Sequence, residues 1–84
     1  MNEQLIKDYL INNQEAIKEA LYPTERLRDS FIKTSSVWMH DWILEEYWGL
    51  VRNYIVDCVT KSLAVSPEDV IMVLESIDLG EYLK

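Results

Sequence analysis

The chain has 84 residues and a formal net charge of −7, from 15 acidic and 8 basic residues. Nearly half of the residues are apolar, which excludes an intrinsically disordered chain. Only two glycines and two prolines are present, too few for the many tight turns of an all-β fold. The composition therefore predicts a single helical domain over residues 1–84.

The acidic charge is concentrated toward the C-terminal end, because residues 65–84 carry five acidic groups and one basic group. Such a surface repels a phosphate backbone, so we expect no direct nucleic-acid binding, whereas a basic protein partner is permitted. The single cysteine, Cys58, excludes an intramolecular disulfide, and the sequence has neither a signal peptide nor an apolar run of 18 residues. We therefore expect a cytoplasmic protein that does not enter a membrane.

The N-terminal part of the sequence predicts two helices separated by a proline. Apolar residues at helical spacing predict the first helix over residues 3–21, and Pro23 is expected to end it. Thr24 is a suitable cap for a short second helix over residues 25–33.

The C-terminal part predicts a long central helix over residues 37–63 and a last helix over residues 67–79. The motif "SPED" at 66–69 supplies a capping serine, a proline at the first helical position and two carboxylates in the first turn. Gly80 is placed to follow the end of the last helix. Together the elements predict an all-α fold, a small bundle of three to four helices.

The central helix has one broad apolar arc when its residues are placed at 100° intervals. That arc is predicted to face the core. Its members are Val37, Ile43, Leu44, Tyr47, Trp48, Leu50, Val51, Tyr54 and Ile55.

Two of the three tryptophans, Trp38 and Trp42, fall on the opposite, charged arc, together with Val56. One interpretation is that the two indoles pack against the first or last helix. The other is that they are partly exposed and anchor a partner protein or a second copy of the chain, since tryptophan is enriched at binding hot spots. The sequence leaves both interpretations open.

A nucleophile and base pair would need the only histidine and the only cysteine in contact. His40 and Cys58 are 18 residues apart, which is about 27 Å on a straight helix. No Glu-x-x-His pair, group of metal-ligating residues or phosphate-binding glycine loop is present. We expect no enzymatic activity, no metal and no cofactor.

The C-terminal segment "AVSPEDVIMVLESIDLGEYL", Ala64 to Leu83, resembles the last loop and helix of histone-fold subunits of the CCAAT-binding-factor β and negative-cofactor β type. In that group a capped helix follows a short extended piece and leads to a Gly-x-Tyr-like end. The resemblance implies a homodimeric or heterodimeric subunit of a transcription or chromatin assembly.

The leading functional hypothesis is a small acidic interaction domain that inhibits, adapts or regulates a larger protein, with a basic protein as one candidate. One alternative is a structural subunit that works as a homodimer or heterodimer, and another is an inhibitor that presents carboxylates in place of nucleic-acid phosphates. The expected partner-binding residues are Trp38, Asp41, Trp42, Glu45, Glu46 and Val56, with an acidic rim of Glu68, Asp69, Glu75, Asp78 and Glu81.

Overall fold

The computed structural model describes residues 2–84, which form five α-helices and no strand. The prediction of a small all-α bundle is confirmed. The helices are α1 (Glu3–Asn12), α2 (Gln14–Thr34), α3 (His40–Ser62), α4 (Pro67–Ser76) and α5 (Leu79–Tyr82), with a turn of 3-10 helix at Val37–Met39 before α3.

The helix predicted over residues 3–21 is divided at Asn13, between α1 and α2. The side chain of Asn13 donates a hydrogen bond to the Tyr9 carbonyl at 2.8 Å, and its backbone N–H donates to the same oxygen. Asparagine interrupts helices in this way because its amide offers the backbone a local alternative partner. The apolar spacing on either side of Asn13 is unbroken, so periodicity gave no sign of this junction.

The prediction that Pro23 ends a helix and Thr24 begins another is wrong, because α2 continues through both residues. Proline lacks the N–H that would donate to the Glu19 carbonyl, which normally destabilises a helix interior. Here Ile17 and Leu21 are buried on the N-terminal side of the proline. Burial of an apolar face contributes more to helix stability than local propensity does, so tertiary packing maintains α2 across Pro23.

The core is organised around α3, which contacts α2 along one flank and α4 along another, while α1 packs on α4. The molecule is elongated, with extents of 43 × 21 × 20 Å. The main core cluster is formed by Ile6, Leu10, Ile17, Leu21, Tyr47, Val51, Ile55, Val59, Val70, Val73 and Leu74.

The start of α4 agrees with the capping motif, because the Ser66 hydroxyl accepts a hydrogen bond from the Asp69 N–H at 3.2 Å. The predicted end of this helix is wrong. The helix ends at Ser76, and Gly80 lies inside the short helix α5 instead of following a helix end. Asp78 begins α5 by accepting a hydrogen bond from the Glu81 N–H at 3.3 Å.

The C-terminal residues fasten α5 to the junction between α1 and α2. The Tyr82 hydroxyl donates to the Leu10 carbonyl, and the Gln14 amide donates to the Tyr82 carbonyl. The Lys18 ammonium donates to the Lys84 carbonyl at 2.8 Å. Burial raises the pKa of Tyr82 to about 12, because the phenolate would lose its hydration there.

One end of the molecule is a projecting helical hairpin, which we define as residues 26–46. It contains the C-terminal part of α2 and the N-terminal part of α3. The C-terminal segments approach α3 only after the last residue of the hairpin. Residues 74–80 approach Trp48 and Arg52, and Leu83 approaches Tyr47. Ile43 is buried but lies outside the main core cluster, so inside the hairpin the two helices bury apolar surface mainly against each other.

The Pro23→Ala variant is expected to raise the free energy of unfolding by about 1–3 kcal/mol, because alanine restores the missing backbone donor and removes the ring's conflict with the preceding turn. Urea unfolding followed by circular dichroism measures this change. Ser30→Ala, at an exposed position of the same helix, is the control and should gain no more than about 0.5 kcal/mol. Equal or lower stability of Pro23→Ala would mean that packing requires the proline.

The Tyr82→Phe variant is expected to lose about 1 kcal/mol of stability at neutral pH, the value of one hydrogen bond. Because the pKa of Tyr82 is raised in the folded state, its contribution is complete below about pH 10 and disappears as the pH rises toward about 12. The wild-type chain should therefore lose more stability than Tyr82→Phe across that interval. Urea unfolding at both ends of the interval tests this, and parallel losses would contradict it.

Candidate functional site

An apolar groove of about 550 Å³ runs between α2 and α3 on one side of the projecting hairpin. Within the described residues 2–84, helices α1, α4 and α5 contribute no residue to the lining of this groove. It is lined by Thr24, Leu27, Arg28, Phe31, Ser35, Met39, Trp42, Ile43, Glu46, Tyr47 and Leu50.

The walls of this groove are exposed apolar side chains. Leu27 and Phe31 on α2 are 56% and 51% exposed, and Trp42 and Leu50 on α3 are 58% and 57% exposed. Isolated exposed apolar residues are ordinary on a protein surface, but a continuous set in one groove is typical of a binding site. The four side chains therefore make this groove the candidate site.

The floor of the groove is formed by buried side chains and by an arginine that is paired with a carboxylate. The Arg28 guanidinium lies 4.5 Å from the centre of the Tyr47 ring and bonds to Asp29 Oδ1 at 2.8 and 3.0 Å. Burial raises the pKa of Tyr47, and the positive charge of Arg28 opposes that rise. Tyr47 and Ile43 are both buried, so a ligand in the groove would meet a fixed apolar floor.

The two helix segments that border the groove differ in net charge. Residues 26–34 contain three basic groups and one acidic group, a net charge of +2, whereas residues 37–50 contain three acidic groups and no lysine or arginine, a net charge of −3. At 100° per residue, Arg28 and Glu46 lie on the groove faces of α2 and α3. Arg26 and Lys33 lie on the opposite side of α2, and Asp41 lies on the opposite side of α3.

The exposure of Trp38 and Trp42, left open by the sequence, is now known. Trp38, in the 3-10 turn, is 80% exposed, and Trp42 forms part of the groove. Glu46 lines the same groove, and Asp41 and Glu45 are exposed on the same helix.

Val56, grouped with these residues in the sequence interpretation, is instead half-buried and packs against the core. It lies about 21 Å from Trp42 along α3 and lines a different surface, with Pro67 and Ile71. It therefore does not extend the tryptophan pair.

The acidic rim expected on the last helix is separate from the groove. Glu68, Asp69, Glu75, Asp78 and Glu81 all lie on or between α4 and α5, and none of them lines the groove. Asp78 caps α5, and Glu81 pairs with Lys84 at 3.6 Å. Glu75 and Asp78 border a shallow depression with Trp48 and Arg52. The tryptophan groove and the acidic rim, which the sequence interpretation treated as one binding surface, therefore lie on different parts of the molecule.

Three residues assigned to the core arc of the central helix are exposed. Leu50 is a groove wall, Val37 is 80% exposed in the 3-10 turn, and Tyr54 is 37% exposed on α3. Trp48, by contrast, packs against the core and meets the Tyr47 ring edge-on, with ring centres 5.0 Å apart. Leu27 and Phe31 were missed as site residues, although their separation by one helical turn was visible in the sequence.

The chain's most reactive side chains do not form a catalytic group. His40 and Cys58 lie on the same continuous helix, about 27 Å apart. His40 Nε2 is buried and has no hydrogen-bond partner among residues 2–84. Within the described part of the chain there is no group of three or more His, Cys, Asp or Glu residues placed to hold a metal ion. None of the described helices has the length and apolarity needed to cross a bilayer.

No protein-family model, curated protein or solved structure matches this chain. The resemblance of residues 64–83 to histone-fold subunits therefore stays a prediction.

Replacing both exposed tryptophans, Trp38→Ala with Trp42→Ala, is expected to lower the free energy of unfolding by no more than about 1 kcal/mol, because little buried surface is lost. Ile43→Ala, next to Trp42 but buried, should cost about 2–5 kcal/mol. The double variant should also emit fluorescence at shorter wavelength than the wild type, since only half-buried Trp48 remains. Unfolding of the double variant would show that the indoles support the fold.

Proposed function

We propose that this protein is a non-enzymatic interaction domain that binds another polypeptide through the groove of its projecting hairpin. The observation that carries the proposal is the exposure of Leu27, Phe31, Trp42 and Leu50 in one continuous groove. These side chains contribute little to the core, and their exposure to water is unfavourable unless a partner covers them. Such a domain would inhibit, adapt or regulate the protein to which it binds.

The shape of the groove favours a helical partner over a small molecule. It lies between two antiparallel helices and is open along its length, which is the arrangement that accepts the apolar face of an amphipathic helix. A helix in this position would contact Leu27 and Phe31 on one side and Trp42 and Leu50 on the other. The indole of Trp42 is the expected hot spot, because tryptophan is the residue type most enriched in that role.

The charges of the protein support a role in selecting the partner. Glu46 lines the groove, where it would attract a basic group at the rim of an interface. The acidic residues of α4 and α5 would add to this attraction at longer range. The absence of a second cysteine fits a cytoplasmic location, where Cys58 would remain reduced.

Immobilised protein should capture a partner from a lysate of its native host, and Trp42→Ala should weaken the capture by tenfold or more, because a hot-spot truncation costs about 2 kcal/mol or more. Phe31→Ala, on the other wall, should weaken the same capture. Met72→Ala is the matched control, since Met72 is 53% exposed but lies on α4 outside the groove.

Bound proteins are identified and quantified by mass spectrometry, and self-association is measured separately by sedimentation. The proposal holds if the groove variants lose a protein that the Met72→Ala control retains, or if they lose self-association. Identical capture and identical sedimentation of all variants would refute it.

A further inference from the structure

We infer that the projecting hairpin is a movable unit, which bends relative to the core about a hinge formed by Pro23 in α2 and Gly49 in α3. The hairpin comprises residues 26–46, so both residues lie just outside it, one in each of its two helices. The inference concerns the free protein and does not depend on which polypeptide occupies the groove. It describes a conformational device that is built into the fold.

Each of the two helices contains one residue that weakens a helix interior. Helix α2 contains one proline and no glycine, and α3 contains one glycine and no proline. Pro23 leaves the Glu19 carbonyl without the N–H donor that a helix normally supplies. Gly49 gives the backbone of α3 more conformational freedom than any other residue type would. Because helix kinks are located at such residues, bending of α2 and α3 is easiest at these two positions.

Nothing in the packing of α3 requires a glycine at position 49. Apart from its chain neighbours and the backbone of its own helix, a Cβ atom at Gly49 would meet no atom within 4 Å. Gly49 lies inside α3 and does not have a positive φ angle. Alanine would therefore fit at this position and would favour the helix. The property of glycine that remains is its flexibility.

The two weak positions lie at the same level of the hairpin, which Tyr47 marks. On α3, Tyr47 precedes Gly49 by two residues, about 3 Å along the helix. On α2, the two neighbours of Pro23 are Tyr22 and Thr24, and each lines a depression that Tyr47 also lines. If only one of two packed helices could bend, the straight one would resist the motion. Two weak positions at one level allow both helices to bend together.

The contacts of the hairpin hold its two helices to each other. Ile43 is buried inside the hairpin, and the Arg28 guanidinium lies 4.5 Å from the centre of the Tyr47 ring. The C-terminal segments approach α3 at Tyr47 and Trp48, at the level of the hinge, and at Arg52 beyond it. The hairpin therefore keeps its own structure when it moves, and the core does not hold its tip in place.

The groove extends from the hinge into the hairpin, so bending changes its shape. Thr24 and Leu50 line the groove next to the hinge residues, whereas Phe31 and Trp42 line it inside the hairpin. When the hairpin bends, the second pair moves relative to the first. The hinge therefore allows the groove to adjust to the polypeptide that enters it, as hinges do in proteins that close around their ligands.

The size of the motion can be related to the length of α3. Ser36, at the tip of the hairpin, precedes Gly49 by 13 residues, which corresponds to about 20 Å of helix. A bend of about 20°, the size of a distinct helix kink, displaces the tip by about 7 Å over that length. A displacement of this size is measurable as a spread of distances between the tip and the core.

Double electron–electron resonance measures this spread between two nitroxide labels on introduced cysteines, in a Cys58→Ser background. Ser36→Cys places one label at the tip, where the side chain is exposed and caps no helix. Glu75→Cys places the other at an exposed position of α4. A second pair combines Ser36→Cys with Glu19→Cys, which is exposed on α2 before the proline. Circular dichroism checks that every labelled chain is folded.

Pro23→Ala combined with Gly49→Ala should narrow the distance distribution of at least one label pair by about 5 Å, because both helices then resist bending. Ser30→Ala combined with Asn53→Ala is the matched control. Both positions are exposed in the same two helices, and alanine raises helix propensity there as well. Because they lie one turn or more from the hinge, the control should keep the width of the parent chain.

Narrowing by the hinge variant alone supports the inference. Equal widths of the parent chain and the hinge variant would overturn it, and so would equal narrowing by the control, which would show a general effect of helix propensity. If Pro23→Ala disturbs folding, Gly49→Ala alone provides the test, because its Cβ enters open space. Gly49→Ala should then narrow the distribution by a smaller amount, and an unchanged width would count against the hinge. Capture of a partner by the groove is a separate measurement, so the proposed function can fail or hold independently.

Discussion

The stripe of buried side chains along α3 is the contact on which the rest of the molecule depends. Tyr47, Val51, Ile55 and Val59 recur at every fourth position and are all buried. Both α2 and α4 pack on this helix. At 23 residues α3 is about 35 Å long, whereas α4 has ten residues and covers only part of that length. The remaining N-terminal part of α3 has α2 as its principal neighbour.

This difference in length produces the candidate site. Two helices that pack only on each other bury one side of each and leave the adjoining flanks in water. In the hairpin, Ile43 is covered and the adjacent Trp42 is not, and Leu50, just beyond the hairpin, is also exposed. The exposed side chains contribute little to folding, so they are available for binding at small cost to stability. The core and the groove therefore occupy different parts of α3 and meet at Tyr47, which belongs to the core cluster and to the floor of the groove.

Local sequence signals were overruled where packing supplied more free energy than propensity. Pro23 would end an isolated helix, yet α2 continues because it packs against α3 and buries Ile17 and Leu21 before the proline. Asn13 shows the opposite case, since its side chain interrupts a helix that apolar spacing had predicted as continuous. The capping motif at Ser66 was reliable because its hydrogen bond is local and needs no distant partner.

The sequence by itself determined that the chain is helical, where α4 begins, and that Trp48 packs with the core. Each of these follows from composition, helical spacing or a contact between near neighbours. The sequence also gave the direction in which Trp42 and Leu50 point from α3, but it placed Leu50 in the core and left Trp42 undecided. Only the tertiary structure decided their exposure, because exposure depends on where the neighbouring helices end. That information lies in the packing of distant segments, and the periodicity of a single helix does not contain it.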